Sequence, residues 1–200
     1  VNCLIYWGSS ALTAGRYHYD FTMAFDREVP LLPVFVWFYI LAFPFWAVGY
    51  LLAARRGRDM FYRFVATDLT IHFICFICFI LIPTTNIRPE IAANTISEKL
   101  LALVYSLDGG RSPSNLFPSI HCYVSWMCWK GVEGSEKVPK WYQRFSLVFA
   151  ILIIISTQVL KQHYIVDAAA ALLLVEFFWR FYQKGQRHKW VVHIFAHKKK

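Results

Sequence analysis

Charged residues are scarce in this chain, and their scarcity excludes an ordinary soluble protein. They make up 16% of the 200 residues, whereas 58% are hydrophobic and 18% are aromatic. A soluble domain is usually about 45–50% apolar and about 25% charged. The composition therefore predicts an integral membrane protein. The net charge of +9 does not indicate nucleic-acid binding, because the basic residues cluster between apolar runs rather than along one exposed face.

Cysteine is also sparse, and its pattern excludes a disulfide framework. The five cysteines are an odd number and lie in or beside apolar runs. No N-x-S/T sequon occurs, which favours a bacterial protein, and no signal-peptide pattern with a small-residue cleavage site is visible. Because the chain opens at Val1 rather than at a methionine, we expect the first apolar run to be a truncated span.

Six apolar runs predict an all-α fold, a single domain of six transmembrane helices over residues 1–200. A spanning helix needs roughly 17–25 residues, so three runs pass easily, while the first and fourth are short and the sixth is near the minimum. The runs cover residues 1–14, 31–54, 61–82, 119–131, 141–160 and 165–182. Between the third and fourth, apolar residues within 91–107 recur at helical spacing. They predict a short amphipathic helix on the outer membrane surface.

The positions of lysine and arginine predict the orientation of this bundle. Fifteen of the 21 lie in residues 55–63, in residues 130–144 and in the tail from residue 180 onward, and six lie in the alternate loops. Short cytoplasmic loops collect these residues. We therefore expect a multi-pass protein of the cell membrane with both termini in the cytoplasm. Its basic cytoplasmic loops should contact anionic lipid headgroups.

Ionisable residues stand at the mouths of the fourth and sixth runs, where idle polar groups are costly. By the predicted topology, both mouths face away from the cytoplasm. His163 and Asp167 are four residues apart, so on a helix the carboxylate would orient and stabilise the imidazole. Ser119 and His121 open the fourth run after a proline. A helix N-terminus there would attract phosphate through its free N–H groups.

Cations accompany these histidines. Lys161 lies two residues before His163, and Arg88 follows the third run with a guanidinium that matches phosphate oxygens. A simpler role for Arg88 is anchoring to lipid headgroups. The rival chemistry is a metal site formed by His121, His163 and Asp167. We favour an oxyanion, because two cations would repel a divalent metal and attract a phosphate; no metal or other cofactor is expected.

At these residues the chain resembles the type 2 phosphatidic-acid phosphatase superfamily, whose motifs are K-x6-R-P, P-S-G-H and S-R-x5-H-x3-D. The matching residues are Arg88-Pro89, then Pro118-Ser119-x-His121, then Ser156 with His163 and Asp167. Leu81, Ile120 and Thr157 depart from the lysine, glycine and arginine of the motifs. We expect Lys161 to replace one missing cation, and Arg111 in the outer loop is a more distant candidate for the other.

The resemblance implies a membrane enzyme, with its catalytic core in residues 84–182, that cleaves a phosphomonoester or pyrophosphate of a lipid. It implies that His163 attacks phosphorus, Asp167 stabilises the imidazolium and His121 protonates the leaving alcohol. Arg88, Lys161, Ser119 and Arg111 are the expected phosphate-binding residues.

Two other functions stay open. The bulky residue in P-S-x-H is also similar to the inositolphosphorylceramide-synthase and sphingomyelin-synthase branch, which transfers a phospho-headgroup to an acceptor alcohol. A non-enzymatic membrane protein that only binds the headgroup of a lipid phosphate is the other alternative.

Overall fold

The computed structural model describes residues 2–196, and helices dominate their secondary structure. The α-helices are α1 Asn2–Thr13, α2 Ala24–Glu28, α3 Val36–Ala54, α4 Arg58–Leu81, α5 Ile96–Leu107, α6 Ile120–Val132, α7 Lys140–Val159, α8 Ile165–Gln183 and α9 Lys189–Ala196. A 3-10 turn, Pro33–Phe35, precedes α3, and two short strands, β1 Tyr19–Asp20 and β2 Thr84–Thr85, pair in parallel. The predicted all-α class is confirmed.

Within residues 2–196, three helical segments are long and apolar enough to cross a membrane, namely Pro33–Ala54, Arg58–Leu81 and Lys140–Val159. They coincide with the second, third and fifth apolar runs of the sequence. Helix α6 has only 13 residues, which is about 20 Å of helix. The count of six spans, their orientation and the position of α5 at the membrane surface stay predictions.

Helix α6 lies in the middle of the main hydrophobic core, where it packs against α3, α4, α7 and α8. Its close approach to α3 requires Gly49, because a Cβ at that position would lie 2.6 Å from Cys128 Sγ. This approach lays one aromatic face of α3 against the first turn of α6.

A buried polar network ties α3, α4 and α6 together within this core. His72 Nδ1 lies 3.3 Å from Asp68 Oδ1, and the Tyr50 hydroxyl donates to the same carboxylate oxygen at 2.7 Å. Tyr123 on α6 places its hydroxyl 2.6 Å from His72 Nδ1. Because Tyr123 lies two residues after His121, the network also fixes the rotation of α6 at the predicted site.

Candidate active site

The three residues predicted to be catalytic come together at one end of the bundle. The ring centres of His121 and His163 are 6.3 Å apart, and His163 Nδ1 is 3.4 Å from Asp167 Oδ2. This contact is not the predicted helical one, since His163 lies two residues before α8 begins. Asp167 Oδ2 instead accepts the backbone N–H of Tyr164 at 2.9 Å. The carboxylate caps the helix and meets the imidazole in the preceding turn.

The surroundings of His163 determine which ring nitrogen carries its proton. Nδ1 lies 3.0 Å from the carbonyl oxygen of Leu116, in addition to its contact with Asp167. Both neighbours are acceptors, so we assign the proton of the neutral ring to Nδ1. Nε2 then keeps its lone pair. This is the tautomer that a nucleophilic imidazole needs.

His121 is held by aromatic rings rather than by a hydrogen bond at Nε2. Tyr39, Phe43 and Trp46 lie on one face of α3, and their ring centres are 4.3, 5.8 and 5.0 Å from that of His121. Trp46 is fixed in turn, because its Nε1 donates to Ser125 Oγ at 2.9 Å. His121 Nε2 is buried and has no partner among the residues described, so it is available to a substrate.

His163 lines two cavities. One has a volume of about 240 Å³ and is mainly apolar; its wall includes His121, Ile40, Phe43 and Leu107. The other has a volume of about 350 Å³ and contains basic side chains, namely those of Arg27, Arg88, Arg111 and Lys161. The nucleophile candidate therefore stands between an apolar and a basic compartment.

Arg88 is fully buried, and its guanidinium is already held by the protein. It donates to the Asp108 carboxylate, to the backbone oxygens of Asp108 at 2.8 Å and Gly110 at 3.1 Å, and to Gln162 Oε1. It also lies over the ring of Tyr105, 4.7 Å from the ring centre. The predicted direct contact of this fork with phosphate stays a prediction.

The other two predicted cations also have protein partners. Lys161 Nζ donates to the backbone oxygens of Asp26 and Val29, which ties the α7–α8 turn to α2. Burial lowers the pKa of Lys161 below its usual value, and the charge of Asp26 opposes this shift. Arg111 forms an exposed ion pair with Glu90. Both cations line the basic cavity next to His163.

Ser119 is held in this site by hydrogen bonds to α6 and to α8. Its hydroxyl accepts the backbone N–H of Cys122 at 3.2 Å and so caps α6. Its own N–H donates to the backbone oxygen of Asp167 at 3.3 Å. Ser119 thus joins the start of α6 to the start of α8, and the phosphate contact predicted for it stays a prediction.

The two positions that lack the motif cations have different surroundings. Leu81 is 64% exposed at the end of α4. Thr157 is buried, and its backbone oxygen accepts the N–H groups of Gln162 at 2.9 Å and of His163 at 3.1 Å. Thr157 therefore helps to hold the turn that contains His163, although it cannot supply a charge.

Comparison with known families decides the classification. A family model described as the PAP2 superfamily matches residues 17–180, which include all seven predicted site residues. The chain belongs to the PAP2 superfamily. Members of this superfamily are generally phosphatases or phosphotransferases, and with the apolar helices the membership indicates a membrane protein. Neither a curated protein nor a solved structure matches the chain.

Three residues of this candidate site in the PAP2-superfamily chain were missed by the sequence interpretation. Arg27 reaches the basic cavity from α2, and Asp108 and Gln162 hold Arg88. Of the three, only Asp108 could have been noticed in the sequence, because it is the one acidic residue between Glu98 and Glu133. Within residues 2–196, no group of three His, Cys, Asp or Glu side chains is arranged to hold a metal ion.

The Lys161 ammonium has three N–H groups, and two of them donate to the backbone oxygens of Asp26 and Val29. The third is left for a phosphate oxygen. We expect Lys161→Ala to lower kcat/KM about 10²-fold, which is about 2.7 kcal/mol, through loss of a charged phosphate contact. Initial rates on a lipid phosphate would measure this. Lys99→Ala, at an exposed position on α5, is the control. Near-normal activity of Lys161→Ala would mean that the ammonium only anchors α2.

Proposed function

We propose that the protein is a membrane lipid phosphatase that cleaves a phosphomonoester or pyrophosphate through a phosphohistidine at His163, without a metal. The observation that carries this proposal is the position of His163 between an apolar and a basic cavity. A lipid phosphate is divided in the same way, into an apolar tail and an anionic headgroup. The tautomer of His163 supports its role as the attacking group.

In the first chemical step, His163 Nε2 attacks phosphorus and the bond from phosphorus to the leaving oxygen breaks. The leaving alkoxide takes a proton from His121 Nε2, which therefore enters this step protonated. The ring centres of the two histidines are 6.3 Å apart, so both rings are close enough to contact one phosphoryl group. Asp167 stabilises the positive charge that develops on His163.

Water completes the reaction. His121, now neutral, accepts a proton from a water molecule that attacks the phosphohistidine, and the bond from phosphorus to His163 breaks. Inorganic phosphate leaves, His121 is protonated again and His163 is neutral. General acid–base catalysis of this kind typically contributes 10²–10⁴-fold.

Unpartnered polar atoms concentrate around His163 and support a polar ligand there. Buried polar atoms normally find partners, and leaving one unpaired costs about 1–3 kcal/mol. Among the described residues, those without a hydrogen-bond partner near this site are Asn86 Oδ1, Arg88 Nε, Asn115 Oδ1, His121 Nε2, Gln162 Nε2 and Asp167 Oδ1.

A second candidate function is transfer of a phospho-headgroup to an acceptor alcohol. Ile120, at the position of the motif glycine, lines the apolar cavity together with both histidines. A bulky apolar side chain at this place disfavours water and favours an alcohol as the group that accepts phosphorus. His121 would then protonate the leaving alcohol in the first step and deprotonate the acceptor alcohol in the second, while His163 carries the phosphoryl group between them.

Purified protein supplied with lipid phosphates and lipid pyrophosphates, with and without acceptor alcohols, would separate these functions. Release of inorganic phosphate supports the phosphatase, and a new phosphorylated lipid supports the transferase. His121→Ala separates both from simple lipid binding: it should keep binding and lose turnover. Normal turnover of His121→Ala would contradict the acid–base assignment.

Metal removal tests the proposed chemistry directly. We expect full activity in EDTA and inhibition by orthovanadate, because side chains supply the charges and vanadate resembles pentacoordinate phosphorus. Initial rates before and after dialysis against EDTA are the measurement, and EDTA-treated protein re-supplied with Mg²⁺ or Zn²⁺ is the control. A strict requirement for either ion would favour the metal site of two histidines and a carboxylate.

The predicted orientation can be tested by labelling. A cysteine introduced at Ser112, an exposed residue of the loop before α6, should react with an impermeant thiol reagent in intact cells. One introduced at Arg58, exposed at the start of α4, should react only after permeabilisation, because the Lys and Arg distribution predicts a cytoplasmic position. The reverse pattern would overturn the topology.

A further inference from the structure

Gln162 lies directly before His163 and lines the apolar cavity with both histidines. Its side chain is almost completely buried, at 1% exposure. Arg88 donates to Gln162 Oε1, and a guanidinium has only donors, so the oxygen of the amide must face it. The NH₂ end is thereby turned away from Arg88. Nε2 has no hydrogen-bond partner in the part of the chain that the structure describes.

We propose that Gln162 is a catalytic residue whose Nε2–H donates to an equatorial oxygen of the phosphoryl group as it moves to His163. This rests on the proposed phosphoryl transfer. As the bond from His163 Nε2 to phosphorus forms and the bond to the leaving oxygen breaks, His121 supplies the proton, and Gln162 keeps both of its own. Its contribution is electrostatic, at the place where negative charge accumulates.

The apolar cavity offers no cation to a phosphoryl group on the side of His121. Among the described residues that line it there is no lysine or arginine. Both terminal nitrogens of Arg88 donate to Asp108, Gly110 and Gln162, so only its Nε is without a partner. A hydrogen bond from a cation to Oε1 polarises the amide and strengthens its N–H as a donor. The positive charge of Arg88 therefore makes Gln162 Nε2–H a stronger hydrogen-bond donor to the substrate.

Backbone hydrogen bonds fix the position of Gln162 relative to His163, the proposed nucleophile. The N–H groups of Gln162 and His163 both donate to the backbone oxygen of Thr157, at 2.9 and 3.1 Å. Thr157 is the residue that stands in place of the motif arginine. A neutral amide polarised by Arg88 thus supplies part of the stabilisation that the absent cation would give.

Gln162→Glu is the decisive variant, because a carboxylate still accepts from Arg88 but has no N–H to donate. We expect kcat/KM to fall about 10²–10³-fold, as for other donors that stabilise a transition state, and the affinity for orthovanadate to fall in parallel. Gln162→Met, which loses both ends of the amide, should show the same loss. Gln183→Glu, near the opposite end of α8, is the control for the added charge.

If Gln162 only holds Arg88 in place, Gln162→Glu will keep wild-type activity and vanadate affinity while Gln162→Met loses them, and the proposal is overturned. Thermal unfolding of each variant identifies those that fold, and normal activity in either folded variant also overturns it.

Orthovanadate binding, followed by tryptophan fluorescence, separates this proposal from the proposed function. Wild-type protein that binds vanadate without hydrolysing any lipid phosphate would contradict the function, while the comparison with Gln162→Glu would still test the donor. Wild-type protein that neither binds vanadate nor turns over would contradict both.

Discussion

His163→Ala should abolish turnover, and wild-type protein quenched during turnover of a radiolabelled lipid phosphate should carry the label on His163. Removal of a covalent nucleophile can cost about 10⁶-fold in kcat, because binding and the remaining polar groups cannot replace the missing bond. The label should be lost in acid and kept in base, as expected for a phosphorus–nitrogen bond. Peptide mapping of the quenched protein would locate it.

His193→Ala is the control for this experiment, since His193 is exposed on α9, far from α6 in the sequence. It should keep both activity and label. Label on a residue other than His163, or substantial activity of His163→Ala, would refute the nucleophile assignment. A direct attack of water on the substrate would leave no labelled protein while activity still depended on His121.

Asp108→Ala should destabilise the protein strongly, because it removes the carboxylate partner of a buried cation. Arg88 is completely buried, and Asp108 is its carboxylate partner in the structure. Removing one member of a buried ion pair typically costs about 3–5 kcal/mol, because the other charge stays buried without compensation. Chemical or thermal unfolding of the detergent-solubilised protein would measure the loss.

Glu90→Ala is the matched control for Asp108→Ala. Glu90 pairs with Arg111, but both side chains are largely exposed, and exposed ion pairs contribute little to stability. Asp108→Asn should fall between the two, since an amide oxygen can still accept from Arg88 without supplying charge. Wild-type stability of Asp108→Ala would show that the two backbone oxygens and Gln162 satisfy Arg88 without a carboxylate.

The residues that we propose as catalytic could be selected from the sequence because their chemistry restricts their type and spacing. His121, His163 and Asp167 were selected from local patterns, and the structure brings all three together. The reason given for the contact between His163 and Asp167 was wrong, however. Asp167 lies in the first turn of α8, and its carboxylate accepts the N–H of Tyr164 just before the helix. This position brings the carboxylate to the imidazole, and it depends on where the helix begins.

The surroundings of the cations were not predictable in the same way. Lys161 binds backbone oxygens of the α2 region, more than 130 positions earlier in the chain, and a backbone oxygen leaves no mark in a sequence. Arg88 likewise depends on Asp108 and Gln162, which come from different turns. Three of the predicted spans were recognisable because length and apolarity alone define them.

The shortness of α6 has a consequence for the way in which a lipid can reach His121. The helix is about 20 Å long, whereas the hydrocarbon layer is about 30 Å thick. Helices α3, α4, α7 and α8 surround it in the hydrophobic core. If the bundle spans the membrane as predicted, α6 leaves about 10 Å of the layer uncrossed. We then expect the uncrossed part to be a recess that a headgroup has to enter before it meets His121.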